Sequence, residues 1–222
     1  MDPVYWMANK KRKLVKNVKA DDDDEGIPFP FQFPKLELGG GASIYTHANH
    51  IYFNDDINDN STFALNKELR SLETKLMHQS LTYGIDAKNT PIYLHLSTLG
   101  GSIHAAFSVV DCIRGMHVPV YTVADGFVAS AGTIISISGT KRFIQPNGYM
   151  LLHQLSSSVW GKMAEIEDEY DNLKKLMDHV IDQYVGRTKL TRKILEKQLK
   201  KDITWNASEC IKRGIVDEIY KP

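Results

Sequence analysis

Residues 120–153 read VYTVADGFVASAGTIISISGTKRFIQPNGYMLLH. The opening run, Val120-Tyr121-Thr122-Val123-Ala124, has the β-branched and aromatic composition of a strand. Asp125-Gly126-Phe127-Val128-Ala129 forms a small-residue turn, Ser130 follows it, and Ala131 to Ser138 reads as a short apolar helix. A serine at a strand-to-helix turn is one way to expose a nucleophilic hydroxyl. The glycine lets the backbone bend, and the amides that follow favour developing negative charge. A second strand-like run, Gly148 to Leu152, delivers His153, the usual base for a serine nucleophile. Small-residue turns before helices are common, and most serines in them only cap or pack, so the rest of the chain has to decide.

Working outward, Pro91 to Leu96 is a buried-strand pattern, Ser97-Thr98-Leu99-Gly100-Gly101 a turn, and Ile103 to Gly115 a helix stopped by its glycine. Phe63 to about Gln79 repeats apolar residues at helical spacing, Phe63 among them, with Asn60 or Ser61 to cap the start. Ile44-Tyr45 and Ile51-Tyr52-Phe53 are short strands around a polar turn. Strand and helix alternate, which predicts an α/β fold of repeated βαβ units on a parallel sheet. After His153 comes a long charged amphipathic helix, Met163 to Tyr184, apolar at Ile166, Tyr170, Leu173, Leu176, Met177, Val180 and Tyr184. It is predicted to project from the domain as a handle that packs on a copy of itself, against the simpler reading of surface packing. Leu190 to Lys200 and Ala207 to Arg213 are further helices, Asp202-Ile203-Thr204 a link, and Ile215 to Ile219 a last strand.

Residues 1–41 differ in kind. A basic cluster from Lys10 to Lys19 precedes an acidic block, Asp21 to Glu25, then a Phe-Pro segment and Gly39-Gly40-Gly41. Charge blocks, spaced prolines and a glycine run predict a flexible arm over 1–41, ahead of a folded domain over 42–222. Lysine plus arginine and aspartate plus glutamate each number 27, so nothing global points to nucleic acid. The two cysteines, Cys112 and Cys210, lie far apart without metal-ligand neighbours, and a reducing, cytoplasmic setting fits them best. The start of the chain lacks the apolar core of a signal peptide, and no apolar run is long enough to span a bilayer. The remaining histidines have no ligand spacing, so neither a metal nor a cofactor is expected.

Over about Ile44 to Tyr220 the chain resembles the proteolytic subunit of the Clp protease, a serine peptidase on the ClpP/crotonase fold. Ser97-Thr98-Leu99-Gly100-Gly101 matches the family's N-S-P-G-G turn, and Gly126 to Gly132 its G-x-A-A-S-M-G/A run. Lys141 to Asn147 matches K-R-x-x-L-P-N, with His153-Gln154 beyond; Lys201-Asp202, Asn206-Ala207-Ser208-Glu209 and Gly214-Ile215-Val216-Asp217 match the segments around the family's acid and C-terminal end. The resemblance implies Ser130 as nucleophile, His153 as base and Asp202 as the acid that orients it. It implies the amides of Gly101 and Ala131 as the oxyanion hole, and Ser102, Ile103, Gln154 and Leu155 along the substrate cleft. Read alone, His104 is a rival base, and Asp217 and Asp182 are rival acids.

The resemblance further implies an endopeptidase whose copies stack as rings, degrading unfolded polypeptides delivered by an AAA+ unfoldase. Leu99 stands for the family's Pro, Val128 for Ala, Leu155 for the Pro after H-Q and Ile203 for the Arg after the acid. The arm does not resemble the family's axial loop. Other readings on the same fold are a viral or phage head-maturation protease, a ring subunit without degradative activity, and a crotonase-type acyl-CoA enzyme. The Ser-His-Asp set weighs against the last.

Overall fold

In the computed structural model, which describes residues 43–221, the run from Val120 becomes the hub of a sheet. The elements are β1 (Ile44–His47), β2 (His50–Asn54), α1 (Asp59–Tyr83), β3 (Ile92–Thr98), α2 (Ile103–Arg114), β4 (Val120–Ala129), α3 (Ala131–Ser136) and β5 (Lys141–Ile144). They continue with β6 (Tyr149–Leu151), α4 (Met163–Arg187), α5 (Arg192–Gln198), β7 (Thr204–Asn206), α6 (Ala207–Lys212) and β8 (Glu218–Ile219). The main row of strands runs β1-β2-β3-β4-β5-β8. Only its first pair is antiparallel; from β2 onward neighbours are parallel, with α1, α2 and α3 as the crossovers between β2, β3, β4 and β5. The expected α/β fold of βαβ units is the one observed. The arm expected over 1–41 lies outside the described residues.

β4 changes partner part-way along. Tyr121 to Ala124 pair with β5, whereas Phe127 to Ala129 pair with β6. The register with β3 shifts between these halves, where Gly126 sits at φ 74, a conformation that glycine adopts without a Cβ clash. The bend separates the end of β4 from the main row and leaves it, with β6 and β7, as a platform for Ser130.

Side chains alternate across the strands. Ile51, Phe53, Ile92, Leu94 and Leu96 point to the core, where they meet Leu65, Leu69, Ala106, Val109, Ile134 and Ile135 of the helices. The opposite face carries a layer of rings: His50 stacks on Tyr93 at 4.7 Å, Tyr52 on His95 at 4.3 Å, and Tyr220 meets Tyr93, His95 and Phe143 edge-on.

Several boundaries differ from those expected. α1 starts earlier, because Asn58, not Asn60 or Ser61, takes the extended cap conformation and accepts from the amides of Asn60 and Ser61. The Ser61 hydroxyl oxygen accepts the Asn58 amide in return, and Phe63, expected inside, is exposed. The link expected at Asp202–Thr204 leads into β7, which pairs antiparallel with β6. Along α4, Val180 and Tyr184 of the expected stripe are buried, while Ile166 and Tyr170 near its start are exposed.

Candidate active site

Ser130 occupies the single position between the end of β4 and the start of α3. Its backbone sits at φ 54, ψ −126, a region that side chains avoid and that holds only when the surroundings enforce it. Three contacts do so. The Ser130 amide donates to Leu151 of β6 at 2.9 Å, and its carbonyl accepts the Thr133 amide at 3.0 Å and the Thr133 hydroxyl at 2.6 Å. The glycine turn presses from the other side. A Cβ on Gly100 would stand 2.5 Å from the Ser130 Cβ, so the turn approaches the serine because it has no side chain there.

The pairing of β6 with β4 sets His153 two residues beyond Leu151, the residue that holds the Ser130 amide. β6 and β7 pair Tyr149 with Asn206, Met150 with Trp205 and Leu151 with Thr204. Continued two places, that antiparallel register sets His153 opposite Asp202. The side chains agree: His153 Nδ1 lies 3.8 Å from Asp202 Oδ1. That is longer than a hydrogen bond. The histidine side chain is 28% exposed and the aspartate 59%.

The rival acids are engaged elsewhere. Asp217 takes the Arg142 guanidinium in a two-oxygen ion pair and also accepts the Arg142 amide. Burial alone would raise the Asp217 carboxyl, but the Arg142 bonds outweigh it and hold the group below its ordinary value. Asp182 pairs with Arg192 at 2.6 Å. His104 is exposed in the first turn of α2. Of the acids expected from the sequence, Asp202 is the one beside His153.

Gly101 sits at φ 141 and bridges to Ile57. The bridge uses the Gly100 carbonyl, which accepts from the Ile57 amide at 2.8 Å, and the Ser102 amide, which donates to Ile57 at 2.7 Å. In such a parallel bridge the middle residue's own amide points away from the partner. Ala131 is the first residue of α3, where an amide has no acceptor within its own helix. Ser102 caps α2: its hydroxyl accepts the Ala105 amide and its carbonyl the Ala106 amide, so its hydroxyl proton is what it still offers a ligand. Ile103 opens α2 half-buried, Leu155 packs against the core, and Gln154 is exposed with its amide given to Leu199 at 2.8 Å.

Both cysteines are buried and free, and burial pushes the Cys210 thiol up to about 12, far from a reactive thiolate. Among the described residues no group of three or more His, Cys, Asp or Glu is placed to hold a metal ion. No helix among them is long and apolar enough to cross a membrane.

A profile of the Clp protease family matches residues 46–222. The chain belongs to the Clp protease family. It is 33% identical over 159 residues to ATP-dependent Clp protease proteolytic subunit 2 of Treponema denticola, covering 71% of this chain and 78% of that one. It is 27% identical over 176 residues to proteolytic subunit 1 of Chlamydia muridarum, covering 78% of this chain and 86% of that one. Against proteolytic subunit 3 of Streptomyces coelicolor the figures are 31% over 148 residues, 64% and 67%. The α/β sheet described above suits this Clp-type serine endopeptidase, and the acyl-CoA alternative on the same fold falls away.

Sequence reasoning misses the residues behind the elbow. Thr133 reads as part of an apolar helix and Tyr184 as one position of a stripe, yet their hydroxyls meet at 2.5 Å. Arg187 has no role in the sequence pattern, yet it donates to the carbonyls of Ile137, Ser138 and Gly139 at the end of α3. The one available signal is polar: a threonine and a tyrosine hydroxyl on faces otherwise built to be buried.

Proposed function

We propose that this Clp-family chain cuts unfolded polypeptides with a triad of Ser130, His153 and Asp202, and with the Gly101 and Ala131 amides as its oxyanion hole. The observation that supports this reading is the 3.8 Å approach of Asp202 to His153, two residues beyond the Leu151 carbonyl that accepts the amide of the strained Ser130. An extended substrate lies between the Gly101-Ser102-Ile103 turn and Gln154-Leu155.

Ser130 Oγ attacks the scissile carbonyl carbon as its proton passes to His153 Nε2. The carbonyl oxygen becomes an oxyanion between two backbone amides, which point there before reaction and need no reorganisation. Asp202 faces the other ring nitrogen, holds the tautomer and balances the imidazolium. It reaches hydrogen-bond distance when its present 3.8 Å gap closes by about 1 Å. His153 then protonates the leaving amine, the bond between carbonyl carbon and nitrogen breaks, and an acyl-Ser130 ester remains. A water, deprotonated by His153, attacks that ester; the bond between the acyl carbon and Ser130 Oγ breaks, His153 returns the proton to Oγ, and the carboxylic acid product leaves.

Assembly belongs to the same reading. Val159, Trp160, Met163, Ile166 and Tyr170 are exposed at the start of α4 and just before it. A second copy covers such a patch in a stacked ring. The relatives are named as ATP-dependent subunits, which supports an AAA+ unfoldase as feeder and a cytoplasmic setting. The test is turnover of a short fluorogenic peptide and of an unfolded protein by wild type and Ser130→Ala, with mass from light scattering. Turnover retained by Ser130→Ala would overturn the triad.

A further inference from the structure

We infer that Tyr184, acting through Thr133, is a positioning residue that aims the Ala131 amide at the oxyanion. The inference rests on the site proposed above and deepens it.

The bonding leaves one arrangement of protons. The Ser130 carbonyl can only accept, so the Thr133 hydroxyl donates to it at 2.6 Å. A hydroxyl has one proton to give, so the contact between Tyr184 and Thr133 at 2.5 Å must have tyrosine as donor. Burial raises the Tyr184 phenol well above its ordinary value, which keeps it protonated. Tyr184 is 2% exposed and Thr133 wholly buried, so water does not substitute for either hydroxyl.

The carbonyl they hold belongs to the same planar peptide as the Ala131 amide, and in a trans peptide the two point in opposite directions. Fixing the Ser130 oxygen on the inner side therefore fixes the Ala131 hydrogen on the outer side, toward the site. Donation to the carbonyl also polarises the peptide and strengthens its N–H as a donor. A chain runs from the Tyr184 hydroxyl through Thr133 and the Ser130–Ala131 peptide to the developing negative charge. The strained serine gives this aim a reason: at φ 54 the peptide would relax unless its oxygen were held.

The base of the chain is rigid. Tyr184 lies in the last turns of α4, where its own carbonyl accepts the amide and hydroxyl of Thr188. One turn later Arg187 donates to Ile137, Ser138 and Gly139, and Arg142 donates to the Arg187 carbonyl. The end of α4 thus grips α3 at both its first turn and its exit.

The experiment compares wild type, Tyr184→Phe, Thr133→Val, their double variant, Thr133→Ser and Ser130→Ala. It reads kcat and KM on a short fluorogenic peptide, affinity for a peptide boronate that forms a tetrahedral adduct, and thermal midpoints, at a temperature well below every midpoint. Removing an oxyanion donor costs about 10²–10³ in rate, and a misaimed donor costs less, so Tyr184→Phe should lose about tenfold in kcat. KM should stay within about twofold, since the loss falls on the transition state. Boronate affinity should fall in step with kcat/KM. The double variant should be no slower than Thr133→Val, because both remove one chain, and Thr133→Ser should keep the wild-type rate. Wild-type kcat and boronate affinity in Tyr184→Phe, with Ser130→Ala inactive, overturn this inference and leave the triad standing. Turnover by Ser130→Ala overturns both.

Discussion

Ser130 stores strain where the chemistry is proposed to happen. A side chain held at such backbone angles costs on the order of 1–3 kcal/mol. Ser130→Ala keeps the strained Cβ and loses the hydroxyl; it should lose about 10³ or more in peptide turnover with little change in thermal midpoint. Ser130→Gly should be equally inactive yet more stable than Ser130→Ala by up to about 1 kcal/mol, because glycine adopts a positive φ freely. Calorimetry on the pair reads that difference, and equal midpoints would remove the strain argument. The carboxylates should separate in the same way. Asp202→Asn should keep the fold and lose activity by roughly 10⁴, the scale seen when a triad acid can no longer hold its tautomer. Asp217→Asn should keep kcat and lower the midpoint instead, because it releases Arg142 from the pair that locks β5 to the C-terminal turn. The resemblance to the family's motifs makes Ser130, His153 and Asp202 legible as candidates, whereas the residues read alone leave Asp217 and Asp182 as rival acids. Neither makes Tyr184 legible, since its bond to Thr133 spans 51 positions and nothing local in either segment points to the other.

At the scale of elements, the site depends on short pieces. β7 has three residues, Thr204, Trp205 and Asn206, too few for an alternating pattern to stand out. In the sequence only its first residue is read, as the end of the Asp202–Thr204 link, although its register, continued two places, sets Asp202 opposite His153. The long elements are easier, since α1, α2 and α4 carry apolar residues over several turns. The ring layer on the far face of the sheet gives an element-level prediction. His50 Nδ1 lies 3.0 Å from His95 Nε2, and Asp125 approaches His95 Nδ1 at 3.3 Å, off the line that a hydrogen bond needs. Burial lowers both histidines below their ordinary value; His47 adds to this at His50, and His50 adds at His95, where the Asp125 charge opposes it without prevailing. As pH falls through the ordinary histidine value of 6.5, the unfolded chain binds protons at these positions before the folded chain does. Stability should therefore decline from about pH 7 to the lower folded-state values, below which these groups add no further slope. Thermal midpoints across that window should fall in wild type and fall less steeply in His95→Gln. Equal slopes would mean that the ring layer titrates like free histidine.

Among the described residues, exposed apolar side chains gather at the start of α4 as well as near the end of α1. The expected stripe of α4 divides into a buried half, Val180 and Tyr184, the latter bonded to Thr133 of α3, and an outer half with Ile166 and Tyr170 exposed beside Trp160 and Met163. Amphipathic spacing discloses the stripe but not the division, because where a helix leaves its own domain depends on packing that the pattern alone does not encode. If the outer half joins copies in stacked rings, Ile166→Asp with Tyr170→Asp should lower the assembly's mass in light scattering and keep the circular dichroism of the fold. An unchanged mass would place the contact elsewhere. The central claim, that Ser130 is a nucleophile activated by His153, is tested most directly by treating the protein with a fluorophosphonate and mapping the adduct by mass spectrometry. The expected result is a single adduct on Ser130, formed about 10³ times more slowly in His153→Ala. An unlabelled Ser130 in protein that turns over peptide, or an adduct on another residue, would contradict it.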